Sequence, residues 1–145
     1  MKHIEPKSNL AVKKFSEQHY NCCQAVICAY SDEFGVKEED VFKMTEGFGT
    51  GMGGLKDTCG AVTGMFLTLG LINSAGNMAD PFETKQETYK KLREMAADFE
   101  QKCGSLYCRD LKGFETGKPL ASCKTCVETA AKILDTYLAA SFEEA

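Results

Sequence analysis

No tryptophan, three prolines and two histidines occur in 145 residues. Prolines this scarce, at Pro6, Pro81 and Pro119, leave long stretches free to form helix. With His3 and His19 alone, a serine or cysteine triad has little support, and His19 reads as a surface residue. Positive charge is not in excess either. Lys+Arg 17 against Asp+Glu 21 gives −4, without the electrostatic footprint of a nucleic-acid binder. No β-branched and aromatic run alternates with polar residues, so strands are not expected. Long hydrophobic runs are missing as well: Thr58 to Ala79 carries no charge, but its dense apolar part, Ala61 to Ile72, is short for a bilayer span and reads as a buried core helix. The start, Met1 to Lys7, lacks the apolar core and cleavage site of a secretory signal, which predicts a cytoplasmic protein.

What the chain has is cysteine, eight residues of it. A chain of this length buries roughly 68 to 70% of its unfolded surface and needs neither disulfide nor metal merely to fold. In a reducing compartment such enrichment reads as metal binding or redox chemistry rather than a permanent disulfide framework. The rest is ordinary for one globular unit, 43% hydrophobic and 26% charged, so residues 1–145 are expected to form a single domain.

Periodicity predicts an all-α bundle of five or six helices with a glycine-rich loop. Helices are expected from Ser8 to Gln18, Asn21 to Phe34, Lys37 to Glu46, Thr58 to Asn73 and Ser122 to Ala140. A further helix is expected to open at Asp80-Pro81-Phe82-Glu83, with Asp80 as cap, Pro81 in the first turn and Glu83 closing a capping box. Its buried stripe is Tyr89, Leu92, Ala96, Phe99 and Cys103, and Gly104 supplies a left-handed stop. Gly60 and Gly64 put two small residues on one face, against which another backbone must press. The acidic end Glu143-Glu144 reads as a solvated tail.

The cysteines separate by position. Cys103 ends an apolar stripe at a helix C-terminus, where the dipole disfavours a thiolate. Cys23 shares a row with Ile27, Tyr30 and Phe34, and Cys126 one with Ala130, Ile133 and Tyr137, so burial is the default for both. Cys28 falls nearer a polar side with Gln24, Ser31 and Asp32. In contrast, Asn21-Cys22, Thr58-Cys59 and Ser122-Cys123 each place a thiol directly after a good N-cap residue, where unpaired N–H groups and the positive dipole end favour ionisation. Cys108 is a fourth candidate, with Ser105 able to cap a short turn and Arg109 supplying a positive charge. Because N-cap residues are common, spacing alone leaves coincidence open.

Two patterns carry less. The GxGxxG from Gly49 to Gly54 follows a helical segment, and no acid stands at the distance a dinucleotide site requires, so Gly47 to Gly54 reads as a tight turn beside the Cys59 helix. Cys123-Lys124-Thr125-Cys126 is a single CxxC, without the second pair of a zinc site or the βαβ context of a thioredoxin.

Together these residues resemble the C_GCAxxG_C_C family of redox-active proteins, named for its cysteines. The likeness spans most of the chain. It rests on Asn21-Cys22 with Gln24-Ala25-Val26, on Gly47 to Gly54, on Cys59-Gly60-Ala61-Val62-Thr63-Gly64, on Cys108-Arg109-Asp110-Leu111, and on Cys123. Cys23 directly after Cys22, the extra Cys126, and Thr58 in place of a glycine are departures. The resemblance implies a redox role for Cys22, Cys59, Cys108 and Cys123, and members are often encoded near transporters. The expected activity is thiol–disulfide exchange at one four-cysteine site, with Cys59 attacking and Cys108 or Cys22 resolving. The alternatives are an iron–sulfur cluster or Zn²⁺ on the same Cys22, Cys59, Cys108 and Cys123, or a non-catalytic accessory of a transporter system. The expected partner is a redox protein or a transporter-associated component, with no nucleic acid and no membrane span.

Overall fold

A computed structural model describes residues 5–144, with side chains through residue 140. The leader reading at Met1 to Ile4, His3 included, and the solvated-tail reading of Glu143-Glu144 lie outside the residues so described. The elements are α1 (Ser8–Ser16), α2 (Cys22–Tyr30), α3 (Glu38–Thr45), the single turn α4 (Gly49–Met52), α5 (Gly60–Asn73), α6 (Lys85–Cys103), the single turn α7 (Cys108–Leu111) and α8 (Cys123–Glu144). The fold is an all-α single domain. Among the described residues there is no strand, only an isolated antiparallel bridge between Thr58 and Tyr107, and no helix is long and apolar enough to cross a membrane.

The second helix is the axis of the bundle, because every side chain from Cys23 to Tyr30 is buried. It packs against α1, α5 and α8. Asn21 and Gln24 close its start with a reciprocal capping box: Asn21 Oδ1 accepts from Gln24 N at 2.9 Å and Gln24 Oε1 accepts from Asn21 N at 3.0 Å. The remaining Gln24 donor reaches Phe42 O at 2.9 Å, which satisfies a buried amide and ties α2 to α3. Burial on all sides also corrects the expectation for Cys28. It is 3% exposed, in a small cluster with Ile27 and Val41, and Ser31 beside it donates to Cys28 O at 2.9 Å.

The face of α5 that carries Gly60 and Gly64 meets α2, as the two small residues require. A Cβ on Gly64 would stand 2.8 Å from Cys23 O, and one on Gly60 3.0 Å from Cys23 N. Val62, Met65, Leu69, Phe99, Val127 and Leu134 fill the core between α5, α6 and α8. The seam is apolar. At the far end Asp135 on α8 takes over the cap that Lys7 does not supply: its carboxylate accepts from Lys7 N at 2.8 Å and Ser8 N at 3.1 Å, closing the start of α1. The buried Tyr30 hydroxyl lies 2.7 Å from the same carboxylate and 2.9 Å from Ala131 O.

The sixth helix departs from expectation at its start. It begins at Lys85, because Asp80 to Thr84 form turns: Asp80 Oδ1 accepts from Phe82 N at 3.3 Å, so the acid is used two residues on and caps no helix. Thr84 precedes the helix but its hydroxyl accepts from Ala75 N at 3.1 Å. Tyr89 is 48% exposed, so the buried stripe of α6 starts only at Leu92 and deepens at Met95, Ala96, Phe99 and Cys103. Gly104 ends it in the left-handed conformation at φ 101°, as a C-terminal glycine does.

Candidate thiol site

Four backbone features bring separate cysteines to one place. Asn21 opens α2 at Cys22, while its Nδ2 donates to Glu46 O at 3.1 Å and fixes the approach of the glycine-rich segment. Ser122 Oγ accepts from Thr125 N at 3.1 Å, the N-cap bond that places Cys123 at the first residue of α8. The segment before α5 runs alongside the segment before α7: Cys59 N donates to Leu106 O at 2.8 Å and Cys108 N to Asp57 O at 2.7 Å. That pairing sets Cys59 beside Cys108. Thr58 therefore belongs to the bridge and Cys59 itself occupies the N-cap of α5, which corrects the expected register by one residue. Ser105 likewise does not cap α7, whose N-cap is Tyr107; its hydroxyl accepts from Tyr107 N at 3.0 Å and donates to Asp110 Oδ2 at 2.8 Å.

The glycine-rich turn lies over these residues. Thr50, Gly51, Met52, Gly53 and Gly54 all have positive φ, and a Cβ on Gly51 would stand 2.6 Å from Asp57 N and 2.7 Å from Cys108 Cβ. Only glycine fits there. Under the turn is a cavity of about 140 Å³ whose walls include Cys22, Cys59, Cys108, Cys123, Cys126 and Lys112. It is smaller than the roughly 300 to 1,000 Å³ of sites that enclose drug-sized ligands.

The structure thus brings Cys22, Cys59, Cys108 and Cys123 to one cavity. Cys23 points instead into the α2–α5 seam, fully buried, and burial pushes its thiol up to about 12. Within the cavity the thiols act on one another's ionisation, Cys22 with Cys123 and Cys59 with Cys126. Cys123 is the ionised partner of the first pair: the hydrogen bond with Cys22, then the Lys112 ammonium, hold it down to about 5. Cys22 is pushed up by the same hydrogen bond and by burial, so it keeps its proton. Cys59 is lowered by its hydrogen bond with Cys126 and by the N–H groups of Ala61 and Val62.

Cys108 differs from expectation. Burial and the neighbouring Cys59 raise it, because Arg109 has turned away: Nε donates to Lys56 O at 3.1 Å and the guanidinium sits over Tyr107 at 5.7 Å. The cation of the site is Lys112, whose own ionisation is favoured first by its hydrogen bond with Cys123. Sequence reasoning missed it. The available signal was its spacing, four residues after Cys108 across a single turn, where side chains share a face. Cys103 is also corrected: despite its helix C-terminus it is lowered to about 7, first by a hydrogen bond with Cys126. Contact with a thiol outweighs the fractional charge of the dipole there.

Among the described residues, no group of three or more His, Cys, Asp or Glu side chains stands in an arrangement that could hold a metal ion. All eight cysteines are free thiols. No curated protein and no solved structure matches the chain. Residues 20–137, which contain every thiol of this cavity, match the family model described as "Putative redox-active protein (C_GCAxxG_C_C)", and the chain belongs to that family.

Proposed function

We propose that the chain is a thiol–disulfide exchange protein in which Cys123 attacks and Cys22 resolves, with Cys59 and Cys108 completing the site. The observation that carries this reading is that Cys22 and Cys123, each the first residue of a helix, line one cavity together with Lys112; Cys123 is held low there and Cys22 is raised. Cys123 replaces Cys59 as the expected nucleophile because it is only half-buried and has a lysine at hand, whereas Cys59 is 6% exposed. A low-pKa thiolate with access to solvent is the reactive form.

In the exchange, the Cys123 thiolate attacks one sulfur of a partner disulfide, forming a mixed disulfide and expelling a partner thiolate, which takes a proton from water. Cys22 then attacks Cys123 Sγ. The Cys22–Cys123 bond forms, the second partner sulfur leaves, and it takes the proton that Cys22 gave up. The partner gains two electrons and two protons, and the pair is oxidised by two electrons. A cavity this small admits the end of a disulfide-bearing side chain or a small disulfide rather than a large organic cofactor.

Replacing Cys22 by Ser should leave the mixed disulfide unresolved, so that Cys123 accumulates as the adduct when the chain meets a disulfide substrate; without resolution the intermediate is read by mass. No adduct at Cys123, or one iron or zinc per chain after anaerobic purification that is lost on Cys108→Ser, would replace exchange by the metal reading.

A further inference from the structure

The surroundings of the cavity differ from the rest of the chain in charge. The whole stands at −4, yet residues 104–126, which supply Cys108, Lys112 and Cys123 to the wall, carry Arg109, Lys112, Lys118 and Lys124 against Asp110 and Glu115. Lys56 joins them from the segment before α5. Its N donates to Thr50 O at 3.2 Å, in the cavity wall, and its O accepts from Arg109 N and Arg109 Nε at 3.1 Å each. Lys56 has φ 61°, where a glycine would be unstrained, so the turn itself does not call for a lysine. Around these cations the surface is apolar. Lys56 Nζ lies 4.3 Å from the centre of the Phe114 ring, and the Arg109 guanidinium 5.7 Å from that of Tyr107. The rings are 47% and 45% exposed, and Leu55 is 74% exposed. Phe114 N donates to Arg109 O at 3.1 Å, which joins the two cation–ring pairs into one patch.

Elsewhere lysines such as Lys7, Lys43 and Lys132 meet a carboxylate at 3.0 to 3.3 Å. Among the described residues neither Lys56 nor Arg109 makes an ion pair. Asp110, the acid of the same turn, accepts from Ser105 Oγ at 2.8 Å, and the exposed Asp57 and Glu115 pair with neither cation. We propose that Leu55, Lys56, Tyr107, Arg109 and Phe114 form a docking surface for a protein whose disulfide is flanked by acidic residues, its carboxylates meeting Lys56 and Arg109 while the disulfide enters the cavity. The proposal rests on the exchange reading above for the fate of that disulfide. Aromatic rings beside an arginine make the centre of a protein interface, which a small free anion would not need. The excess of acid on the rest of the chain repels the same partner in other orientations, so the patch sets the direction of approach and the rate of encounter.

The reduced full chain is mixed with three cyclic peptide disulfides that differ only in their flanking residues, glutamate, glutamine or lysine. Each rate of reaction at Cys123 is taken relative to that with free mercaptoethanol, which removes the intrinsic reactivity of the disulfide. The glutamate peptide should exceed the glutamine peptide about tenfold at low salt, and the lysine peptide should be slowest. Salt at about 0.5 M should abolish the difference. Lys56→Gln with Arg109→Gln should bring the glutamate peptide down to the glutamine rate and leave the neutral hydroxyethyl disulfide unchanged. Should the Arg109 change unfold the protein, Lys56→Gln alone should remove part of the advantage. Equal relative rates for the glutamate and glutamine peptides, or an advantage indifferent to salt, overturn the docking surface and leave exchange standing. An equal gain for glutathione disulfide, which has charge but no flanking chain, also overturns it in favour of a small-anion site. No reaction at Cys123 with any disulfide, hydroxyethyl disulfide included, overturns exchange and the docking surface with it.

Discussion

The start of α1 and the start of α8 each bring an acidic group to a helix N-terminus, about 18 Å apart along α8. At α1 the group is the Asp135 carboxylate, whose oxygens are taken up by Lys7 N, Ser8 N and the Tyr30 hydroxyl. At α8 it is the Cys123 thiolate, whose partners are a second thiol, a lysine and the helix start, beside a cavity. The difference lies in what surrounds the anion. A carboxylate held by backbone donors has nothing to exchange and acts as a structural tie; a thiolate held by another thiol faces a group that can replace its proton with a bond.

Removing the structural anion should have the largest effect. Asp135→Ala leaves two backbone donors without their acceptor and the Tyr30 hydroxyl with Ala131 O alone, at a cost of about 3 kcal/mol and about 10 °C in Tm. Denaturant and thermal unfolding measure it. The alkylation midpoint of Cys123 in the folded variant should not change. A moved midpoint would mean the two helix starts are coupled and the comparison fails.

Next in size is the loss of the reactive anion. With Cys123 near 5, its alkylation by iodoacetamide should be flat above about pH 6 and fall tenfold per pH unit below 5, since protonation removes the nucleophile. At pH 6 nearly all of Cys123 is ionised against about one part in a thousand of an unperturbed thiol. The lower intrinsic nucleophilicity of a low-pKa sulfur takes back most of that, leaving about a tenfold advantage. Cys123→Ser should abolish this fast phase, read peptide by peptide, because Cys22 and Cys108 are raised. A fast phase that persists at pH 6 on Cys59 would return the nucleophile to that residue.

Lys112→Met sharpens the comparison further by leaving both helix starts in place. It should move the Cys123 alkylation midpoint up by about one pH unit and change stability little, the lysine being at the surface. An unmoved midpoint would assign the ionisation to Cys22 and the helix start alone.

Much of this arrangement is legible in the sequence because it is local. Asn21-Cys22 and Ser122-Cys123 are cap-and-thiol pairs in both sequence and structure, and Gly60 with Gly64 announces the close seam that α2 fills. What is not legible depends on neighbours distant in the chain. Asp80 carries a helix-start signature, yet the same side chain serves a turn equally well, and tertiary packing chooses. Cys28 looks polar-facing only if one side of α2 is wet, and none is. Cys103 and Cys126 read as core, which they are, but no periodicity reveals that each shifts the other's thiol. Lys112 matters because it and Cys123, eleven residues apart in the chain, line the same cavity.

Ser122→Ala isolates the helix start from the side chains and should give the smallest change. The hydroxyl lost is exposed and accepts from Thr125 N, so the cost is that of an N-cap, about 1 kcal/mol, with Ser122→Gly recovering most of it. Cys123 owes its low pKa first to Cys22 and then to Lys112, so its alkylation midpoint should shift by less than in Lys112→Met. Equal shifts in the two variants would show that order of causes to be wrong. The helix start would then govern ionisation at α8 as the carboxylate governs order at α1, and the contrast between the two sites would reduce to the identity of the acid.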